Sequence, residues 1–294
     1  MADMHETTKR VFLYGAAAAL IGGLGYAMAT ADRGADTTTL LSSAQTQLGL
    51  AYAIPATDKQ GKALSARDDM IAQAVVALEQ VERRSPGMAC TAEFRGFAHM
   101  LRAQFVDAAA CYEQAQRCLD VQAEQRDVLA FNQARMLAKA GRGEDALAVF
   151  RAHDKALDAR FGQQRAIEEA AILRGLGRGE EAVATLEAAL AGEATEPVVW
   201  LQAGLELEQL GCLSRAEEVY THIVSAVPIA EYHIGRLKLR AGAVDSALDC
   251  LERAAKGAPA EVRRLVHDEP DVWRALAKDA RYEQITAPLA TPGR

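Results

Sequence analysis

Catalytic or binding chemistry in this chain has to be sought among its histidines, its cysteines, its neighbouring carboxylates and its glycine-rich turns. Gly175-Leu176-Gly177-Arg178-Gly179 and Gly141-Arg142-Gly143 have the composition of a phosphate cradle. A cradle of that kind follows a strand and opens a helix whose first amides face the anion. Neither glycine run follows a strand-like segment, so both are read as turn formers. The pairs Glu168/Glu169, Glu180/Glu181 and Glu217/Glu218 are adjacent in sequence, and neighbours on a helix do not face one another. They are read as solvated acids, those at helix starts also complementing the helix dipole. Six histidines (His5, His99, His153, His222, His233, His267) are scattered; only His222 and His233 fall where adjacent helices would bring them together, and a packed imidazole outweighs a metal ligand there. Five cysteines (Cys90, Cys111, Cys118, Cys212, Cys250) form no C-x-x-C and no Cys/His spacing for zinc. Cys90 and Cys118 stand near the start of helix A and the end of helix B in one expected repeat, which antiparallel helices would bring together, and this leaves a disulfide open in an oxidising compartment. No serine or cysteine has a base placed by a motif. The expectation is a non-enzyme with no cofactor and no metal.

The elements that position these residues are helical. Half of the residues are apolar but only 5% aromatic, and Ala and Leu alternate with Glu, Arg and Gln, all good helix formers. No alternating run of Val, Ile and Thr marks a strand. The fold class expected is all-α. A net charge of −7 works against binding a polyanion, so nucleic acid is excluded as the main partner.

Val11 to Ala29 is a 19-residue stretch without a charge, preceded by Lys9 and Arg10 and followed by Asp32 and Arg33. As a helix it would rise roughly 28 Å, near the thickness of a bilayer core. Tyr14 and Tyr26 fall near its ends, at headgroup level. The basic pair places the N-terminus in the cytoplasm and the rest of the chain on the extracytoplasmic side. A removable signal ending at Ala27-Met28-Ala29 and a buried core helix are the competing readings. Gly15, Ala19 and Gly23 also form a small-residue stripe of the kind that lets helices pair, although so Ala- and Gly-rich a segment yields such stripes by chance.

Beyond the apolar stretch the sequence repeats. Ala74, Ala108, Ala146, Ala182, Ala216 and Ala247 recur at spacings of 34, 38, 36, 34 and 31 residues. Four residues after each stands a large apolar residue: Leu78, Tyr112, Phe150, Leu186, Tyr220 and Leu251. Twelve before each of the last five stands a small one: Gly96, Ala134, Ala170, Gly204 and Gly235. Gly141, Gly177, Gly211 and Gly242 each precede an alanine by five. The small residue would let helix A approach helix B, the glycine would end helix A, the alanine would press on helix A, and the large residue would fill the gap between units. Pro86, Pro228 and Pro259 would end helix B. A hairpin of this kind cannot bury its apolar face alone, so the units must stack.

With this spacing the sequence resembles the tetratricopeptide repeat family. The unit from Pro197 follows the family pattern closely through Trp200, Ala203, Gly204, Leu207, Gly211, Ala216, Tyr220, Ile223 and Pro228. The unit from Gln163 is nearly as close; the one from Ala89 departs at Arg95 and His99, and the first is split by an insertion around Ile54 to Ser65. The resemblance implies a right-handed α-solenoid of helix hairpins behind an N-terminal transmembrane helix. Its parts are a cytoplasmic start at 1–10, the anchor or signal at 11–29, a linker at 30–40, about six repeats at 41–262, and capping helices with a tail at 263–294. It implies, too, a concave face lined by helix A, which carries Phe131, Asn132, Arg135, Lys139, Arg174, Leu201, Gln202, Leu205, Tyr232, His233, Arg236 and Arg240. On an acidic protein this reads as a cationic groove with aromatic patches, suited to an extended acidic segment or a carboxyl terminus of a partner protein. The expected function is a membrane-tethered interaction scaffold or chaperone-like accessory subunit, with a soluble or secreted adaptor as the alternative.

Overall fold

The structure, a computed structural model, describes residues 35–54, 62–191 and 196–287, and every regular element among them is helical. The expectations for residues 1–29 lie outside the described residues; among those described, no helix is long and apolar enough to cross a membrane. In chain order the helices are α1 (Ala35–Ala53), α2 (Lys62–Arg84), α3 (Ala89–Leu101), α4 (Phe105–Arg117), α5 (Ala123–Lys139), α6 (Gly143–Ala152), α7 (Asp154–Gly175) and α8 (Gly179–Leu190). They continue with α9 (Pro197–Gln209), α10 (Leu213–Ile223), α11 (Ala230–Arg240), α12 (Val244–Gly257), α13 (Pro259–Asp268), α14 (Pro270–Trp273) and α15 (Ala280–Thr286), a short tight turn of helix (Arg274–Leu276) following α14.

These helices pack as neighbouring pairs in two compact units, one within His5–Glu168 and one within Glu169–Arg294, the division falling inside α7. In the first unit α1 pairs with α2, α3 with α4 and α5 with α6; α4 also meets α5, and α1 reaches across to α3. In the second, α9 pairs with α10 and α11 with α12, α10 meets α11, and α13 and α15 close over α12.

The turns that join α5 to α6, α7 to α8, α9 to α10 and α11 to α12 share one geometry. Gly141, Gly177, Gly211 and Gly242 lie at φ of 78°, 75°, 80° and 79°, the left-handed region that a residue without Cβ enters freely. The amide after each donates to the carbonyl five residues back, as Arg142 does to Leu137 at 2.9 Å and Cys212 to Leu207 at 2.9 Å, closing helix A with a Schellman motif. The α3–α4 turn has the same bonds, Gln104 donating to His99 at 2.9 Å, but Ala103 occupies the left-handed position at φ 58°.

All six recurrent alanines are buried, as are the six large residues four positions later. A Cβ added to Gly204 would stand no more than 3.0 Å from three carbons of the Tyr220 ring, and one on Gly96 would meet Tyr112 Cε1 at 3.1 Å. A Cβ on Gly235 would stand 3.1 Å from the carbonyl oxygen of Ala247. The small residue thus accepts the partner helix of its own hairpin. This adjusts the expectation for the large residue: the Tyr112 and Tyr220 rings fill the groove within the hairpin, and the outer face of Tyr220 also reaches the next one, stacking on His233 at 5.2 Å.

Several boundaries differ from those expected. Residues 35–40 belong to α1, where Thr37 is buried, and not to a linker; a polar run without apolar periodicity hid the start. α2 begins at Lys62, so the insertion in the first hairpin is shorter than Ile54 to Ser65. α7 has a break in its helical backbone at Gly162, and the piece before it, Asp154 to Phe161, is additional to the repeat that starts at Gln163. Pro259 starts α13 instead of ending α12, so the repeat-to-cap boundary at 262/263 falls inside a helix. Within the capping segment expected at 263–294 the helix is interrupted, α15 starting only at Ala280 after an Asp279 side-chain cap.

Ala103→Gly is expected to raise stability by about 0.5–1 kcal/mol, since it removes left-handed strain at a modest entropic cost. Gly204→Ala is expected to lower it by about 1–3 kcal/mol through the Tyr220 ring. Denaturant titration of both variants checks the pair; an unchanged midpoint for Gly204→Ala would refute the seated ring.

Candidate functional site

The residues expected to line a groove lie on α5, α7, α9 and α11, and most are engaged inside the protein. Phe131 is buried, stacked on Phe150 at 5.8 Å and on Phe161 at 4.5 Å. Leu201 is buried; Asn132, Gln202 and Leu205 are half-buried. Tyr232 is fully buried. These aromatics serve the core and are not displayed, a correction with a simple cause: on helices that contact neighbours on both sides, a face assigned from the family pattern is wider than the face left to solvent.

The cations are paired with carboxylates about one repeat away. Arg135, itself buried, holds Glu168 at 2.9 Å, and Arg174 Nε donates to Glu206 at 3.0 Å. Arg236, 13% exposed, donates through Nη1 to both oxygens of Glu269 at 2.9 and 3.0 Å and through Nη2 to Glu208 at 2.6 Å. Burial would depress the Arg236 pKa, but the two carboxylates more than offset it and raise the value. Lys139 sets its ammonium 5.6 Å over the Phe105 ring, and its pKa is lowered by desolvation and by Arg135. The expected excess of positive charge is therefore neutralised by the chain's own acids. Reading helix A alone missed them, although the signal was present: Arg135/Glu168, Arg174/Glu206 and Arg236/Glu269 are 33, 32 and 33 residues apart, one repeat period.

Around Arg236 the pairs join a larger network. Trp273 Nε1 donates to the Tyr232 hydroxyl at 3.1 Å, which donates to Glu269 at 3.0 Å. Glu208, whose side chain is 7% exposed, also accepts from the Tyr220 hydroxyl at 3.3 Å and from Arg240 at 3.4 Å. Burial and the neighbouring carboxylates push both tyrosine pKa values up. Above the network opens a cleft of about 750 Å³ in the second unit, lined by Leu239, Val244, Val272 and Ala275 with Arg240, Glu269 and Asp271 at its polar side. Of the expected set, Arg240 remains half exposed, at 53%, and Lys139 is exposed as well.

His233 is buried with no hydrogen-bond partner at either ring nitrogen, between the Tyr220 ring and the edge of Tyr232. Desolvation, and secondarily Arg236, lower its pKa to about 3. His222 instead stacks on Trp200 at 4.3 Å, so the two histidines serve different contacts. Cys90 and Cys118 carry free thiols and not a disulfide. Cys90 is buried against Asp120 and Glu93, and desolvation first, then those carboxylates, push its thiol up to about 12.

A comparison with models of known protein families finds none that matches this chain, and a comparison with curated proteins finds no match either.

Arg236→Met strands Glu208 and Glu269 and is expected to cost about 3 kcal/mol or more. Arg240→Met, at an exposed pair, is expected to cost less than about 1 kcal/mol; equal effects on the denaturation midpoint would contradict the burial order. The imidazole of His233 is held neutral in the fold and takes a proton near 6.5 once unfolded. Its contribution is therefore present above pH 6.5 and lost as the pH falls toward about 3. His233→Phe should flatten that acid limb of the stability profile.

Proposed function

We propose that the chain is a non-enzymatic scaffold of tetratricopeptide type, a right-handed α-solenoid that binds segments of other proteins, held at a membrane by residues 11–29. The observation that carries this reading is the recurrence of one hairpin with one turn: a left-handed residue at positions 103, 141, 177, 211 and 242, each with the same six-residue backbone bond. Repetition of a hairpin yields an extended surface rather than an enclosed pocket, and such surfaces suit partner proteins. The membrane part rests on the uncharged run from Val11 to Ala29 with Lys9 and Arg10 before it; the repeats then lie on the extracytoplasmic side.

Within the surface, the cleft over Leu239, Val244, Val272 and Ala275 is the place for an apolar side chain of a partner segment, with the half-exposed Arg240 guanidinium beside it for a carboxylate. The buried arginines Arg135 and Arg236 orient the helices and are not offered to the ligand.

Crosslinking in native membranes, followed by mass spectrometry of what co-purifies, identifies the partner. Arg240→Glu combined with Val272→Asp is then expected to weaken co-purification by roughly tenfold or more, two lost contacts of about 1 kcal/mol each. Retention at the wild-type level, with the helical circular dichroism spectrum unchanged, would rule out the cleft. Intact mass of the membrane-extracted chain separates the tethered form from a secreted one cut after Ala29.

A further inference from the structure

Carboxylates that bridge helix A of one hairpin to helix A of the next have an arginine as partner at Glu168 and Glu206, and Glu269 between α13 and α14 takes Arg236 of α11 in the same way. Glu93 of α3 is different. Its side chain is buried, the residue being 8% exposed, and across the joint it meets the neutral amide of Gln125 in α5, 32 residues on, whose Nε2 donates to Oε2 at 3.0 Å. The joint also holds Asp120, in the connection between α4 and α5, which caps the start of α3 by accepting from the Ala89 amide at 3.0 Å.

The ionisable groups on the surrounding elements do not supply a counter-charge. On α3 itself Cys90 is a buried neutral thiol and Arg95 is turned to Glu82 of α2 at 4.0 Å. α1 contributes Tyr52, against Phe97 of α3, and α4 contributes the buried phenol of Tyr112. On α5, Arg135 is held by Glu168. Asp120 adds negative charge. An ionised Glu93 would thus be a buried anion opposite an amide, with a second anion at the same joint. Desolvation, only partly countered by the Gln125 bond, pushes the Glu93 carboxyl from 4.5 up to about 7.

We propose that the joint between the α3–α4 hairpin and α5 is a proton-operated hinge, closed while the buried Glu93 carboxyl keeps its proton and loosened when it gives that proton up. The sign follows from linkage. A carboxyl whose pKa is raised by folding favours the protonated, closed state; that contribution is complete below pH 4.5 and is lost as the pH climbs through about 7. Because a hairpin array is stabilised joint by joint, weakening one joint opens it locally without unfolding its neighbours. The hinge would change the spacing of helix A faces on either side of it, and with it any surface that a partner spans.

Hydrogen-exchange mass spectrometry on the full chain in detergent, with protection factors corrected for intrinsic rates, tests this between pH 6 and 8.5. Peptides from α3 and α5 of the wild type are expected to lose roughly tenfold or more in protection as the pH rises, a unit or more of shift being a tenfold change. Peptides from α11 and α12 serve as the internal reference. Glu93→Gln should hold the joint protected at both ends of the range. Gln125→Arg, which supplies a cation to the carboxylate, should do the same by a different route and decides the matter if Glu93→Gln does not fold. Constant protection in the wild type, or either folded variant following the wild-type curve, would overturn the proposal.

Discussion

The structure depends on how closely helix A can approach helix B within a hairpin. At Gly204 the approach is so tight that the Tyr220 ring occupies the space a Cβ would need, and at Gly235 the carbonyl of Ala247 stands in that place. Only glycine or alanine at this position lets the recurrent alanine of helix B be buried completely. The left-handed turn residue follows from the same constraint, because two helices in such close contact must be joined by the shortest reversal available. Ala103 shows how strong the constraint is: the chain accepts a positive φ at a residue with a Cβ and keeps the turn.

Once hairpin geometry is fixed, side chains one period apart meet. Pairs such as Arg135 with Glu168 and Arg174 with Glu206 bridge successive A helices, Arg215 with Glu187 bridges successive B helices, and Arg281 of the closing helix α15 holds Glu252 of α12. Charges in these rows set the register of neighbouring hairpins, since an arginine fork fits a carboxylate at one separation and orientation. Most of the partly buried cations on helix A are absorbed in this way, as Arg135, Arg174 and Arg236 are.

Two buried ionisable groups respond to protons in opposite directions, each in its own unit. His233 is held neutral by burial first and by the nearby Arg236 second, and neither ring nitrogen has a hydrogen-bond partner. Burial pushes the Glu93 carboxyl up to about 7, and the Gln125 amide across the joint only partly counters it. Neither has an oppositely charged partner, unlike the arginine–carboxylate pairs that neutralise buried charge elsewhere between the hairpins.

The sequence by itself determined the helical class, the hairpin period, the positions of the buried alanines and the glycine turns, because each of these is a local rule: a helix repeats every few residues, and a left-handed turn selects glycine within one turn of its own backbone. The tertiary structure alone decided what the charged and aromatic residues do. Whether Phe131 faces solvent or Phe161, whether Arg236 is free or held by Glu208 and Glu269, and whether Glu93 keeps its proton all depend on side chains a full repeat away, brought together by packing. Burial and electrostatic partnership are properties of three-dimensional neighbours, and no local pattern contains them.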